Sequence, residues 1–194
     1  MMNKYCIADL PKYVHISNNP IETIKFTPQG LSFKPTGFWF AERFGWIDFI
    51  HDNFEDSGII KLTPTCFSIS NNSYLYGVTI PTANRITVTD KSNKNKILLI
   101  NTVDDLVTFT KKFHYTAPRD KHGKKRWYIN WKQVGNKYGG IIIPTFKKLN
   151  EQLRKKNSHD VYDKKYLWFY TIDVSGGCIW NSNIATIKLL NPSK

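Results

Sequence analysis

Short runs in which apolar and polar residues alternate occupy much of this chain, a pattern typical of strands that bury one face. In the segment 13–17, His15 and Ser17 share one face with Tyr13, and Val14 and Ile16 form the other. Three consecutive isoleucines in the segment 138–143 indicate a central strand buried on both faces. Further strands are predicted at 31–33, 37–41, 59–62, 66–69, 74–80, 85–89, 97–100 and 166–173. The last of these is rich in aromatic residues and is broken by the segment 174–177.

Helical patterns are fewer and shorter. A helix is predicted from Thr102 to about 112, because Thr102 can cap it and Asp105 stands at the third position of a capping box. Another is predicted at 146–155, and the apolar segment 44–50 also suits a helix. A helical turn is predicted at 18–24, where an asparagine can cap the turn and Pro20 suits its first position.

The length of 194 residues fits one domain spanning 1–194, and no internal repeat or linker divides it. No apolar run reaches the roughly 18 residues needed to cross a membrane, and the N-terminus lacks the apolar block of a leader peptide. We therefore expect a cytoplasmic protein with no membrane partner. Three widely spaced cysteines lack metal-binding spacing, so we expect reduced structural thiols and no metal site.

The chain carries a net charge of +13, from 28 Lys and Arg against 15 Asp and Glu. Such an excess favours a polyanionic partner, and DNA or RNA is the candidate class. The basic segment 111–126 contains turn-forming Pro and Gly residues, which indicate a loop. The candidate phosphate contacts are Lys121, Lys124, Lys125 and Arg126. The alternative is an exposed loop that carries its share of surface charge.

Two N-terminal segments contain the residues with the clearest chemical potential. The first strand offers the imidazole of His15 and the hydroxyl of Ser17 on one face. In the second segment, Gly37 permits close backbone approach and Trp39 supplies a flat aromatic surface. Each segment taken alone also fits an ordinary structural role, and it is their order and spacing that favour a site.

The order Tyr-x-His-x-Ser, then Gly-aromatic-Trp-Phe-Ala resembles the ADP-ribosyltransferase fold of the diphtheria-toxin and poly(ADP-ribose) polymerase type, including DarT-type enzymes that modify nucleic acid. The resemblance implies an α+β fold with a split, mostly antiparallel β core and short flanking helices. It also implies NAD as co-substrate. His15 and Ser17 would hold the nicotinamide ribose and amide, and Trp39 would stack on nicotinamide between Gly37 and Phe40.

The resembled families place a catalytic glutamate at the start of the last strand, where it favours an oxocarbenium-like transition state. That glutamate aligns near Gly176, so this chain lacks it at the matching position. The nearest acid is Asp173, which is also a plausible turn residue, and Glu42 is a second candidate.

The leading hypothesis is an NAD-dependent ADP-ribosyltransferase that uses His15, Trp39 and Asp173 and modifies a macromolecule, with nucleic acid a candidate acceptor. The alternative is a catalytically inactive protein of the same fold that binds nucleic acid through its basic loop and exposed aromatic residues. A third hypothesis is thiol chemistry by Cys178 with a histidine.

Overall fold

The computed structural model describes residues 2–45, 47, 49, 60–63, 65–117, 127–156 and 164–192. Fourteen strands lie within these residues, and they dominate the fold. The strands are β1 Met2–Cys6, β2 Tyr13–Ser17, β3 Leu31–Ser32, β4 Phe38–Glu42, β5 Ile60–Leu62, β6 Cys66–Ser70, β7 Tyr74–Thr79, β8 Arg85–Ile86, β9 Asn93–Leu99, β10 His114–Thr116, β11 Trp127–Asn130, β12 Tyr138–Ile143, β13 Gly176–Ile179 and β14 Thr186–Leu189.

The largest sheet has eight strands in the order β14-β7-β2-β4-β13-β12-β9-β8. All neighbours are antiparallel except β12 with β9 and β9 with β8. Two further sheets of three strands have the orders β1-β6-β5 and β10-β11-β3. The mixed α/β architecture with a mostly antiparallel sheet and short helices agrees with the predicted fold class.

Four α-helices are described in full. They are α1 Val103–Phe113, α2 Trp131–Gly135, α3 Phe146–Lys156 and α4 Leu167–Tyr170. The capping box predicted for α1 is confirmed, because the Thr102 side chain accepts from the Asp105 N–H and the Asp105 side chain accepts from the Thr102 N–H. Residues 43–45, 47 and 49 are helical, which agrees with the predicted helix over the positions that the structure describes.

The eight-stranded sheet is curled, so that strands far apart in its order share one core. Val78 on β7 and Ile97 on β9 belong to the same buried cluster, although four strands separate β7 from β9. The other face of the sheet packs on two different layers. Helices α1, α3 and α4 cover β12 and β13, whereas the sheet β1-β6-β5 covers β2 and β7.

Several local predictions were wrong. The segment 18–24 has bends and no helical turn, because the Ser17 side chain accepts from the Asn19 N–H and the Tyr76 hydroxyl accepts from the Ile21 N–H. The segment 166–173 is not a strand but contains α4. Only Arg85 and Ile86 of the strand predicted at 85–89 form one.

The aromatic run forms a helix because it must bury two adjacent side chains. Trp168 and Phe169 are both fully buried, and the Trp168 indole donates to the Thr110 hydroxyl of α1 at 3.0 Å. A strand places adjacent side chains on opposite faces, so it would not direct both rings into one core. Gly176 and Gly177 were predicted to break a strand, yet they begin β13.

Among the described residues, no helix is both long enough and apolar enough to cross a bilayer. The same part of the chain contains no group of three or more His, Cys, Asp and Glu side chains that could hold a metal ion.

Candidate functional site

The strands β2, β4 and β13 are consecutive neighbours in the large sheet. They carry His15, Trp39 and the Gly176 position, respectively, and these are the three places singled out in the sequence. In the part of the chain that the structure describes, β2 and β4 pair through Tyr13 with Glu42 and through Val14 with Ala41. Beyond these pairs β2 continues along β7 alone, so a gap opens between β2 and β4 at His15.

The backbone of Ile16 faces this gap. Alternate residues of a strand direct their N–H and C=O groups to the same neighbour, and the Lys12 carbonyl accepts from the Arg43 N–H at 3.0 Å on the β4 side. Ile16, four residues later, therefore points its N–H and C=O to the same side. Within the described residues, the register between β2 and β4 contains no partner for it there.

His15 closes the start of the gap. Its Nδ1 lies 2.6 Å from the Trp39 carbonyl oxygen, and its ring centroid lies 4.4 Å from that of Phe38. A carbonyl only accepts, so Nδ1 carries the proton and donates. Burial lowers the pKa of His15, and the hydrogen bond to Trp39 partly opposes this effect. The ring is therefore neutral at pH 7, and its Nε2 is left as a hydrogen-bond acceptor.

The lowered pKa of His15 predicts that acid destabilises the protein. The unfolded chain binds more protons than the folded one between the ordinary imidazole pKa and the lowered pKa of His15, so the free energy of unfolding falls as the pH drops through that interval. Urea denaturation of wild type and His15→Gln across this range should show that the variant is less sensitive to acid. Equal slopes for the two proteins would contradict the burial of His15. The exposed His114, substituted in the same way, provides the control.

A pocket of about 210 Å³ lies beside β4, next to the turn that leads into β13. Its lining residues belong to three different buried clusters. Trp39 packs against the cluster under the helices, and Phe49 packs against the cluster between β2 and the sheet β1-β6-β5. Phe40 belongs to the cluster inside the curled sheet. The complete lining is Lys34, Trp39, Phe40, Ala41, Phe49, Ile172, Asp173 and Val174. The lining thus combines three aromatic residues with one cation and one carboxylate.

Asp173 enters this pocket from a strained turn. It is the one non-glycine residue with positive φ, at 64°, among the described residues, and the Val174 N–H donates to the Ile172 carbonyl across it at 2.7 Å. This is a γ-turn of the strained kind, a conformation that persists only where the surrounding structure holds it. Aspartate tolerates such a backbone better than most residues.

Lys34 is the charge partner of Asp173. Its Nζ lies 3.4 Å from Asp173 Oδ2 and 5.9 Å from the centroid of the Trp39 ring. The two charged side chains remain 46% and 43% exposed, so their attraction is screened and weak. A ligand could therefore displace Lys34 at small cost.

The position that aligns with the missing glutamate has no room for a side chain. A Cβ on Gly176 would overlap the Phe40 carbonyl oxygen and would lie 2.7 Å from Ala41 Cα. Any carboxylate in this pocket must therefore come from elsewhere, and Asp173 is three residues away. Glu42 pairs with Tyr13 and so lies on the opposite face of the sheet from Ala41.

The predicted site residues do not all point into one crevice. Trp39 is opposite Cys178 on the helical face of the sheet, whereas His15 packs on Phe38, whose ring lies on the curled inner face. The imidazole and the indole therefore lie on opposite faces of the sheet, because successive residues of β4 alternate in direction. The link between them is the hydrogen bond from His15 to the Trp39 backbone.

The remaining predicted residues have mainly local roles. The Ser17 hydroxyl accepts from the Asn19 N–H at 3.1 Å and keeps its own proton for a further bond. Gly37 has φ of 151°, and a Cβ there would overlap the Ile179 carbonyl oxygen. The ring of Phe40 is buried against Tyr13, with 5.3 Å between centroids.

The candidate phosphate contacts at 121 and 124–126 lie outside the described residues. They belong to the segment that connects β10 to β11. The sheet β10-β11-β3 has an outer aromatic row, since Tyr115 is opposite Tyr128 and the Tyr128 ring lies 4.7 Å from that of Phe33. This row faces away from the core because the next residue, Ile129, is buried in it.

Lys34, Phe49 and the Ile16 backbone were missed by the sequence analysis. Lys34 stands within the segment that contains Gly37 and Trp39, so proximity to that motif was a usable signal. Phe49 and Ile16 carried no such signal in the sequence, because their positions depend on how β2 separates from β4. Comparisons with protein families, curated proteins and solved structures found no match to this chain.

Proposed function

We propose that this protein binds NAD at the gap between β2 and β4 and transfers its ADP-ribose to a macromolecular acceptor. The observation that carries the proposal is the adjacency of β2, β4 and β13, with an aromatic, carboxylate-bearing pocket beside them. The sequence resemblance assigns the histidine, the stacking aromatic residue and the catalytic acid to these same strands or their ends.

The pocket suits the nicotinamide end of NAD. Its volume of about 210 Å³ compares with the roughly 150 Å³ of a protein cavity that takes up benzene, so one substituted ring fits. The oxidised nicotinamide ring is cationic, and the face of Trp39 already attracts the ammonium of Lys34. NAD binding would therefore replace one cation on this face with another.

Trp39 and Asp173 lie on the helical side of β4 and His15 lies on the inner side, so in this proposal NAD extends through the gap from one face of the sheet to the other. The gap then offers partners for the polar groups of NAD. A primary carboxamide has one acceptor oxygen and two donor hydrogens, and the outward N–H and C=O of Ile16 complement it. His15 Nε2 can accept from a ribose hydroxyl, because Nδ1 is committed to Trp39. The hydrogen bond to Nε2 needs the neutral imidazole, which burial favours.

Asp173 supplies the charge for bond cleavage in this proposal. Loss of nicotinamide leaves positive charge on the anomeric carbon and ring oxygen of the ribose, and a nearby carboxylate stabilises that charge. Nicotinamide departs with the electron pair of the glycosidic bond, and a nucleophile of the acceptor then bonds to the anomeric carbon and loses its proton.

A second candidate function is nucleic-acid binding without turnover. It is favoured by the row of Phe33, Tyr128 and Tyr115, which resembles the stacking surfaces of single-strand binders. The exposed Lys111 and Lys112 lie at the end of α1, directly before β10. The same surface could hold a nucleic-acid acceptor for the transferase.

Isothermal titration with NAD tests the proposal. We expect saturable binding, weaker binding of NADH because its reduced ring is neutral, and an affinity loss of about 2- to 10-fold in His15→Gln, the value of one hydrogen bond. His114→Gln should bind as wild type does. Nicotinamide release is then measured with and without single-stranded oligonucleotide.

Two outcomes would overturn the transferase proposal. One is the absence of heat with NAD at millimolar concentration. The other is NAD binding that is unchanged in His15→Gln. Salt-sensitive oligonucleotide binding that is lost in Tyr128→Ala, with no nicotinamide released, would instead favour the second candidate.

A further inference from the structure

A pair of cysteines lies on the side of the molecule formed by the sheet β1-β6-β5. Cys6 ends β1 and Cys66 begins β6, and the two residues are directly opposite each other in the antiparallel register. Their sulfur atoms are 3.5 Å apart, and both side chains are in the reduced state. They are separated by most of the N-terminal third of the chain, so no local sequence pattern indicates that they meet.

The backbone geometry at this pair suits a disulfide. The next pair in the register, Ile7 with Thr65, is hydrogen-bonded, because the Ile7 N–H donates to the Thr65 carbonyl at 3.0 Å. Cys6 and Cys66 therefore form a non-hydrogen-bonded pair, for which the Cα atoms are about 4.5 Å apart. Disulfides span Cα separations of about 4.4–6.8 Å, so the bond needs no separation of the strands.

We propose that Cys6 and Cys66 are a reversible thiol–disulfide site whose oxidant is a low-molecular-weight disulfide such as oxidised glutathione. This proposal does not depend on the proposed function, since neither cysteine lines the pocket or the gap.

The accessibility of the two thiols sets the order of the reaction. Cys6 is half-buried and Cys66 is buried, so the Cys6 thiolate attacks the small disulfide and releases one glutathione thiolate. The Cys66 thiolate then attacks the Cys6 sulfur and displaces the second glutathione. One disulfide is formed and one broken, and the two protons lost by the cysteines are taken up by the two glutathione thiolates.

The surroundings of Cys66 favour its role in the second step. The hydroxyl of Thr65 lies 3.6 Å from the Cys66 sulfur, and its hydrogen bond is the main cause of a lowered pKa at Cys66. The hydrogen bond with the Cys6 thiol and the charge of Lys4 lower this pKa further. A larger thiolate fraction speeds attack on a mixed disulfide. Cys178 differs completely, because it is fully buried in the helical core and burial raises its pKa. The structure therefore also opposes Cys178 as a nucleophile.

The test uses the full chain, purified reduced and then equilibrated with oxidised glutathione. We expect an intact mass lower by two hydrogen atoms, one remaining thiol that reacts with maleimide after denaturation, and a proteolytic map that joins the peptides of Cys6 and Cys66. Oxidation should also raise the melting temperature, because the bond constrains the unfolded chain between these residues.

Two variants make the result decisive. Cys178→Ser should form the same bond, whereas Cys6→Ser should lose the gain in melting temperature on oxidation. Oxidation in denaturant, where any two of the three cysteines can pair, shows whether the native fold selects this pair. Glutathione adducts without loss of two hydrogen atoms, or a bond that involves Cys178 in the folded protein, would overturn the proposal.

Discussion

Asp173→Asn should lower the rate of nicotinamide release by about 10²- to 10³-fold, the usual effect of removing one group that stabilises transition-state charge. NAD affinity should change little, because the carboxylate acts mainly as the ribose becomes cationic. Asparagine keeps the shape of the side chain and also tolerates the backbone conformation at this position, where φ is 64°. Single-turnover assays and titration with NAD separate the chemical step from binding.

Glu42→Gln is the matched control for this experiment. Glu42 was the other candidate acid in the sequence, but it is paired with Tyr13 on the face opposite the pocket wall formed by Ala41. We expect its substitution to leave nicotinamide release close to wild type. The reverse result, with activity lost in Glu42→Gln and kept in Asp173→Asn, would remove Asp173 from the site.

Gly177→Ala should destabilise the fold by about 3 kcal/mol, at the upper end of the usual cost of overpacking. A Cβ at Gly177 would overlap the Ile141 carbonyl oxygen and would lie 2.8 Å from Cζ of Phe40. The Ile141 carbonyl belongs to the backbone of β12, which pairs with β13, so it cannot move without disturbing the sheet. Urea denaturation measures the loss as a lower transition midpoint.

Gly30→Ala is the control for this substitution, because no atom lies within 4 Å of a Cβ built on Gly30. A surface change of this kind usually alters stability by less than about 0.5 kcal/mol. If both alanine variants unfold at the same urea concentration as wild type, β13 is not packed as closely as the structure indicates.

Elements whose signal is local could be predicted from the sequence. The strand Tyr13–Ser17 follows from its alternation, and α1 follows from the capping box of Thr102 and Asp105. The buried strand β12 follows from its three isoleucines. In each case, residues a few positions apart contain the information that determines the structure.

Elements that depend on distant contacts could not be predicted. The aromatic segment around Trp168 becomes helical because its indole meets Thr110 of α1. Gly176 and Gly177 extend a strand because β4 and β12 approach them from both sides. No local pattern distinguishes such glycines from those of a turn.

The candidate site shows the same division. His15, Trp39 and Asp173 were identified from their order in the sequence, but the direction of Trp39 depends on the register of β4 with β13, and that of Asp173 depends on the turn between Ile172 and Val174. Lys34 and Phe49 join the pocket through folding over long sequence distances. A sequence pattern can therefore name candidate residues more readily than it can show which of them share a surface.

The brief contact between β2 and β4 has a mechanical consequence. Among the described residues, two residue pairs join β2 to β4, whereas five join β2 to β7 and four join β4 to β13. We therefore expect β2 to rotate against β4 more easily than two strands that pair along their whole length, and such a rotation would widen or narrow the gap. A dinucleotide that contacted both β2 and β4 would hold the two strands together, and part of its binding energy would be used to restrain that rotation.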